Sequence, residues 1–212
     1  MDIVIFAAHA DDEVLGMGGT IKKLSNNNDI HLCIVTDSAS AQYTDKKMIQ
    51  VRKNACKNAG KILGIVTIDF LNFPDMKLDT IPHLELNKKM EKIIQKYNPE
   101  IVFTTPDNDL NLDHKLVHDS TLVITRPQSN KIKQIFCYEI PGTVKRSFSP
   151  NVYYDIQKEF KDKINALLKY KSELKDFPHP RSVEAIESNA NFRGSQSGLK
   201  KAESFKLIRS VI

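Results

Sequence analysis

Up to Ile140 the chain alternates short, unbroken apolar runs with stretches whose apolar residues return every three or four positions. The runs are Ile3–Ala8, Ile30–Thr36, Val66–Phe73, Ile101–Thr105 and Ile135–Ile140. An apolar run without polar alternation predicts a strand covered on both faces, as in a parallel sheet. Between the runs, Met48, Val51, Ala55, Ala59 and Ile62 mark one face of a helix that Gly64 closes as a C-cap. Leu86, Met90, Ile93 and Tyr97 mark another, stopped by Pro99. Strand and helix in alternation predict an α/β fold: a Rossmann-like, doubly wound, mostly parallel sheet with helices on both faces. Beyond residue 145 the pattern changes. Val152–Ile156 reads as one more strand and Phe160, Ile164, Leu167 and Leu168 as a helix. Residues 182–210 read as further helical pieces broken at Arg193-Gly194 and Gly198, which predicts a helical C-terminal extension. No linker-like stretch interrupts the chain, so residues 1–212 are read as a single domain.

With 212 residues, 41% of them hydrophobic, the chain can bury a substantial core. Its 31 Lys and Arg against 26 Asp and Glu leave a formal charge of +5, which favours anionic partners such as a phosphorylated sugar. The lysines are scattered and not interleaved with aromatics, so nucleic acid is not an expected partner. Cys33, Cys56 and Cys137 sit in apolar contexts and form no CxxC pair, which fits a reducing compartment. The acidic Asp2 and the short run after it do not make a signal peptide, and no stretch approaches the ~18 apolar residues of a membrane span. A cytoplasmic protein with no membrane span is expected.

The chemistry gathers where apolar runs end. The first run leads into His9-Ala10-Asp11-Asp12-Glu13, and the fourth into Asp107-Asn108-Asp109-Leu110-Asn111-Leu112-Asp113-His114. In an open α/β sheet, ligands bind at the carboxyl ends of the strands. Carboxylates and an imidazole packed just after a buried strand are costly unless a cation compensates them. His9 and Asp12, three residues apart at a strand-to-helix turn, can converge on one metal, with His114 supplying a third ligand from the neighbouring loop. Two nitrogens and one carboxylate oxygen, with a fourth position left to water, describe a catalytic zinc site; another divalent metal is compatible. Such a metal acidifies its water and polarises a carbonyl, as amide hydrolysis requires, and Asp11 beside it is placed to act as general base. The same residues have a plainer reading, with His9 and His114 as satisfied non-ligands and Asp11–Glu13 as a helix cap. Asp113 is read as the N-cap of the following helix.

These motifs resemble those of the PIG-L/LmbE-type de-N-acetylases. Ala7-Ala8-His9-Ala10-Asp11-Asp12-Glu13 is similar to the His-Pro-Asp-Asp-Glu signature, and Asp109–His114 to the second metal motif. Thr125-Arg126-Pro127, Phe177-Pro178-His179-Pro180-Arg181-Ser182, Arg193-Gly194 and Ala202-Glu203-Ser204-Phe205 resemble one bacterial branch. The resemblance implies zinc-dependent removal of an N-acyl group, acetyl or formyl, from an amino sugar that is free, phosphorylated or nucleotide-linked. It carries the metal ligands onto His9, Asp12 and His114, the base onto Asp11, and substrate contacts onto Arg52 and Asp75. Ala10 replaces a proline that supplies rigidity and no functional group. Asn111 stands where many relatives carry a histidine; it can donate to an oxyanion but cannot transfer a proton at neutral pH. His179, in a proline-flanked segment, is the candidate for the missing acid, and Arg181 in the same segment suits a phosphate or carboxylate. His31, His83 and His118 are read as structural or surface positions. Gly16, Gly18 and Gly19 come too late after the first run to cradle a nucleotide phosphate and are read as packing positions within the next helix. The other reading kept open is a catalytically weak member that binds a sugar or partner without turnover.

Overall fold

The computed structural model describes residues 1–128, 130–142 and 145–212. The apolar runs form β1 (Asp2–Ala7), β2 (Asp29–Thr36), β3 (Thr67–Phe73), β4 (Ile101–Thr104) and β5 (Gln134–Tyr138), and β6 is Val152–Asp155. The helices are α1 (Asp12–Leu24), α2 (Lys47–Leu63), α3 (His83–Tyr97), α4 (Leu112–Ile124), α5 (Phe160–Leu167) and α6 (Val183–Ser197), with a 3-10 turn at Leu78–Thr80. The chain then returns to the sheet as β7 (Ala202–Ser210). Strand order is β3-β2-β1-β4-β5-β7-β6, parallel from β3 to β5, with β7 antiparallel to both its neighbours.

Side-chain alternation divides β1 between two cores. Ile3, Ile5 and Ala7 face a layer built from α1, α2, Leu167, Tyr170 and Ile186, while Val4, Phe6 and Ala8 face α3 and α4 through Leu86, Met90, Ile93 and Val117. This two-sided burial is why the apolar runs are continuous. The strand order turns back between β1 and β4, so the loops leaving these strands diverge to opposite faces and open a crevice between them. Both sequence motifs lie in those two loops.

The C-terminal region differs from the helical pieces expected of residues 182–210. α6 runs unbroken through Arg193-Gly194 and ends at Gly198, whose φ of 72° is the left-handed conformation glycine adopts freely. β7 follows, and Leu207 and Ile208 pack on opposite cores. Its polar residues hid the strand, and two of them are buried with partners. Ser204 donates to Glu139, which pairs bidentately with Arg193, the latter bonds being 2.8 and 2.5 Å. Glu203 accepts from the backbone N–H groups of Gly19 and Thr20, at 3.0 and 2.6 Å, and from Lys163 Nζ at 2.5 Å. These two N–H groups are free because α1 is kinked at Met17 (φ −147°, ψ 23°), so a carboxylate from β7 caps the second half of a broken helix. The expected packing role of Gly16 holds: a Cβ there would lie 2.7 Å from the carbonyl oxygen of Glu139 and against the Tyr138 ring.

Candidate active site

Three ligating atoms meet in the crevice. His9 Nδ1 lies 3.2 Å from His114 Nε2 and 3.5 Å from Asp12 Oδ2, and His114 Nε2 lies 3.4 Å from Asp12 Oδ2. A tetrahedral ion with bonds of ~2.0–2.2 Å needs ligand atoms roughly 3.3–3.6 Å apart, so this triangle fits one face of such a coordination sphere. All three residues are buried, and Asp12 Oδ1 has no hydrogen-bond partner. A buried His-Asp-His group of this form can hold a metal ion.

The remaining nitrogen of each histidine is tied down by a carboxylate. His114 Nδ1 is 2.7 Å from Asp109 Oδ2, and His9 Nε2 is 3.1 Å from Asp75 Oδ1 and 3.2 Å from Asp113 Oδ2. These contacts assign the N–H to the outer nitrogens and direct both lone pairs at the common point, the arrangement that orients metal-bound imidazoles. Burial opposes charging His9, but hydrogen bonds to Asp113, Asp12 and Asp75 outweigh it and raise its pKa well above the ordinary value. Burial likewise opposes charge on His114, and Asp12 and Asp109 push it up to about 9. Asp12 is held well below the usual carboxylate range: burial alone would raise it, and His114 and His9 reverse that.

Asp113 is therefore not the helix cap expected from sequence. Asn111 caps α4, its side chain accepting from Asp113 N at 2.9 Å. The Asp113 carboxylate turns inward, accepting from Met76 N and Leu78 N at 2.8 and 3.1 Å and facing His9.

Asp11 also is no cap in the side-chain sense. Its backbone is at φ 140°, ψ −23°, a costly conformation for a non-glycine residue that persists only when the surroundings impose it. They do so densely. His9 N donates to Asp12 Oδ2 (2.8 Å), Ala10 N to Ser38 Oγ (2.8 Å), Arg52 Nη2 to Ala10 O (2.6 Å) and Asp11 N to Glu13 Oε2 (3.1 Å). The Asp11 carboxylate is buried, and neither oxygen receives a hydrogen bond. Arg52 and Arg181 each stand 3.5 Å from one of these oxygens.

Above the triangle lies a cavity of about 50 Å³ lined by His9, Ser38, Gln42, Arg52, Asp75, Met76, Asn111, Glu173 and Arg181. Arg52, Asp75, Asn111 and Arg181, the sequence-derived substrate contacts, thus reach one wall system. Arg52 is buried, not on a solvated helix face, and pairs with Glu173 at 2.5 Å; Arg181 pairs with the same carboxylate at 2.9 Å. His179 is not brought in: it is exposed, its Nδ1 accepts from Arg181 N at 3.1 Å, and it does not line the cavity. His118 is buried with Nδ1 on Thr105 O, His31 bonds Thr67 and Asp2, and His83 bonds Ser120. Ser38, Gln42, Glu173, Asp109 and Asp113 are site residues without a signal in the pattern; only the motif containing Asp109 and Asp113 drew attention to the last two.

A model of the PIG-L family, described as GlcNAc-PI de-N-acetylase, matches residues 4–125, more than half of the chain. This chain belongs to the PIG-L family. That match contains the loops of His9, Asp11, Asp12 and His114. PIG-L-type relatives extend the similarity along the chain. A diacetylchitobiose deacetylase of Thermococcus kodakarensis is 24% identical over 99% of this chain and 84% of its own. A probable N-acetyl-alpha-D-glucosaminyl L-malate deacetylase 2 of Bacillus cereus is 24% identical over 81% and 83%. In three dimensions the N,N'-diacetylchitobiose deacetylase of Pyrococcus horikoshii superposes with a TM-score of 0.82 at 23% identity, covering 98% of this chain and 84% of that one. The GalB hydratase of a Pseudomonas superposes at 0.81 with 16% identity over 100% and 97%, so this PIG-L fold also carries other chemistry and the side chains must decide. Among the described residues no helix is long and apolar enough to cross a membrane.

Proposed function

We propose that this protein is a zinc-dependent hydrolase that removes the N-acyl group, acetyl in the first instance, from an amino sugar. The observation that carries the reading is the triangle of His9, Asp12 and His114 with an unbonded Asp11 carboxylate beside it. Zinc held by those three residues would supply a Lewis acid to polarise the amide carbonyl and to lower the pKa of a water to about 7. Asp11, buried between two guanidinium groups, would accept the proton of the attacking water. Asn111, whose Nδ2 faces the cavity beside Met76 Sδ at 3.4 Å, is placed to donate to the developing oxyanion. With His179 outside the cavity, protonation of the leaving amine falls to Asp11, which returns the proton it has just taken. Arg181, whose side chain is 26% exposed, is already paired with Glu173. With its charge so engaged Arg181 does not call for a phosphate, and the proposed substrate class, supported by the relatives that are sugar deacetylases, is an N-acetylated amino sugar with or without a phosphate or nucleotide.

An inert sugar-binding protein would have no use for a strained, unbonded carboxylate next to a complete ligand triangle. Assay of zinc-loaded protein for acetate release from N,N'-diacetylchitobiose, N-acetylglucosamine and UDP-N-acetylglucosamine tests the reading. Turnover is expected to vanish with a chelator and return with zinc. Asp11→Asn is expected to keep one zinc per chain while turnover falls by roughly 10²–10⁴. Undiminished turnover in that variant removes Asp11 from its role, and a protein that binds no metal removes the hydrolase reading.

A further inference from the structure

Residues 170–181, between α5 and α6, lie outside the span matched to the family, yet three of their side chains act on the loop that carries Asp11. Tyr170 donates to Glu13, whose other oxygen holds the Asp11 N–H. Glu173 is buried, and its two oxygens divide between the arginines: Oε1 is 2.5 Å from Arg52 Nη1 and Oε2 is 2.9 Å from Arg181 Nη1. Those arginines flank Asp11 on its two sides, Arg52 at Oδ1 and Arg181 at Oδ2. Glu173 is thus the only described carboxylate paired with both guanidinium groups besides Asp11 itself.

We propose that Glu173 is a positioning residue: it sets Arg52 and Arg181 against the oxygens of Asp11 and thereby fixes the direction in which the general base points. The role rests on the reading of Asp11 given above. It follows from three features together. The Asp11 carboxylate has no hydrogen bond of its own to orient it. Its backbone is held in a conformation that relaxes unless pinned. The only described cations facing it are both anchored elsewhere, on one shared carboxylate. Arg52 has a second anchor in Ala10 O and a stacking contact with the Tyr170 ring at 5.9 Å, whereas Arg181 arrives from a segment with Glu173 as its only described ionic anchor besides Asp11. Loss of Glu173 should therefore free Arg181 first.

The test uses zinc-loaded protein and acetohydroxamic acid, a small metal ligand that gives up its O–H proton on binding, for which Asp11 is the acceptor, and keeps an N–H. Affinities are measured for wild type, Glu173→Gln, Asp11→Asn and the double variant, with zinc affinity and melting temperature recorded for each. Glu173→Gln is expected to weaken acetohydroxamate about tenfold while zinc affinity stays within about twofold, and to weaken it no further in the Asp11→Asn background. Equal losses in both backgrounds show that Glu173 does not act through Asp11 and overturn the proposal. An Asp11→Asn variant with unchanged affinity instead sinks the general-base reading itself. A crystal structure of Glu173→Gln gives a readout independent of metal and ligand: Arg181 should leave Asp11, and its staying in place overturns the proposal. Should Glu173→Gln fail to fold, Glu173→Asp carries the same cycle, since a carboxylate one carbon shorter cannot span both arginines.

Discussion

Loading the site with metal should release at least one proton, over a pH range set by the two histidines of the triangle. The outer nitrogens of both histidines carry their N–H groups toward Asp109, Asp75 and Asp113. In the metal-free protein the inner nitrogens, His9 Nδ1 and His114 Nε2, face each other at 3.2 Å. Two lone pairs at that distance repel, so at least one of the two rings carries a proton on its inner nitrogen, stabilised by Asp12. Metal must displace this proton. With His114 raised to about 9, the proton is in place throughout the neutral range. Apparent zinc affinity should therefore rise at least about tenfold per pH unit from pH 7 towards 9. Calorimetry in buffers of different ionisation enthalpy counts the proton directly, and competition with a chelator, corrected for the chelator's own titration, gives the slope.

The sign for stability runs the other way. A histidine pKa raised in the folded state stabilises the metal-free protein below the unfolded value near 6.5. That contribution, about 3 kcal/mol for His114, is lost as pH rises through about 9. The metal-free melting temperature should fall over this window, while the zinc-loaded protein should hold or gain. Zinc binding with no proton release at pH 7 would show that neither inner nitrogen is protonated and would refute the imidazolium inferred for the metal-free site.

Other expectations follow from the packing around the site. Asp109→Asn and Asp113→Asn, which weaken the hold on the outer histidine nitrogens, should each lower zinc affinity by about 10–100-fold without unfolding the protein, measured by chelator competition. Glu203→Ala should cost about 3–5 kcal/mol in urea unfolding, because it leaves the buried Lys163 and the Gly19 and Thr20 N–H groups without their carboxylate. Gly16→Ala should destabilise by about 1–3 kcal/mol, since its Cβ would meet Glu139 backbone and the Tyr138 ring. A neutral result would mean that α1 can shift away from β5.

The parallel half of the fold was legible because strands covered on both faces leave continuous apolar runs, and the two ligand loops were legible because each motif abuts the end of such a run. β7 was not, because Glu203 and Ser204 look like surface residues until their partners in α1 and at Glu139 are known. Asp113 was misread because capping is a local signal that any Asp before a helix satisfies, whereas its real partner, His9, is 104 residues away. Tyr170 and Glu173 carried no signal, since nothing periodic marks a side chain whose purpose is one distant contact. His179 drew notice through its flanking prolines, but the loop turns its ring to solvent and delivers Arg181 inward instead.

The kink in α1 has a consequence for how the protein is held together. Asp12, one corner of the His-Asp-His triangle, opens that helix, yet the Gly19 N–H left unpaired at its midpoint is closed by a residue 184 positions further on. A chain folded only as far as β5 would hold His9, Asp12, His114 and the whole parallel half, yet still carry an uncapped break a turn and a half beyond Asp12. The break in α1 is therefore closed only once the antiparallel strand lies between β5 and β6, which locks two segments far apart in sequence into one rigid unit.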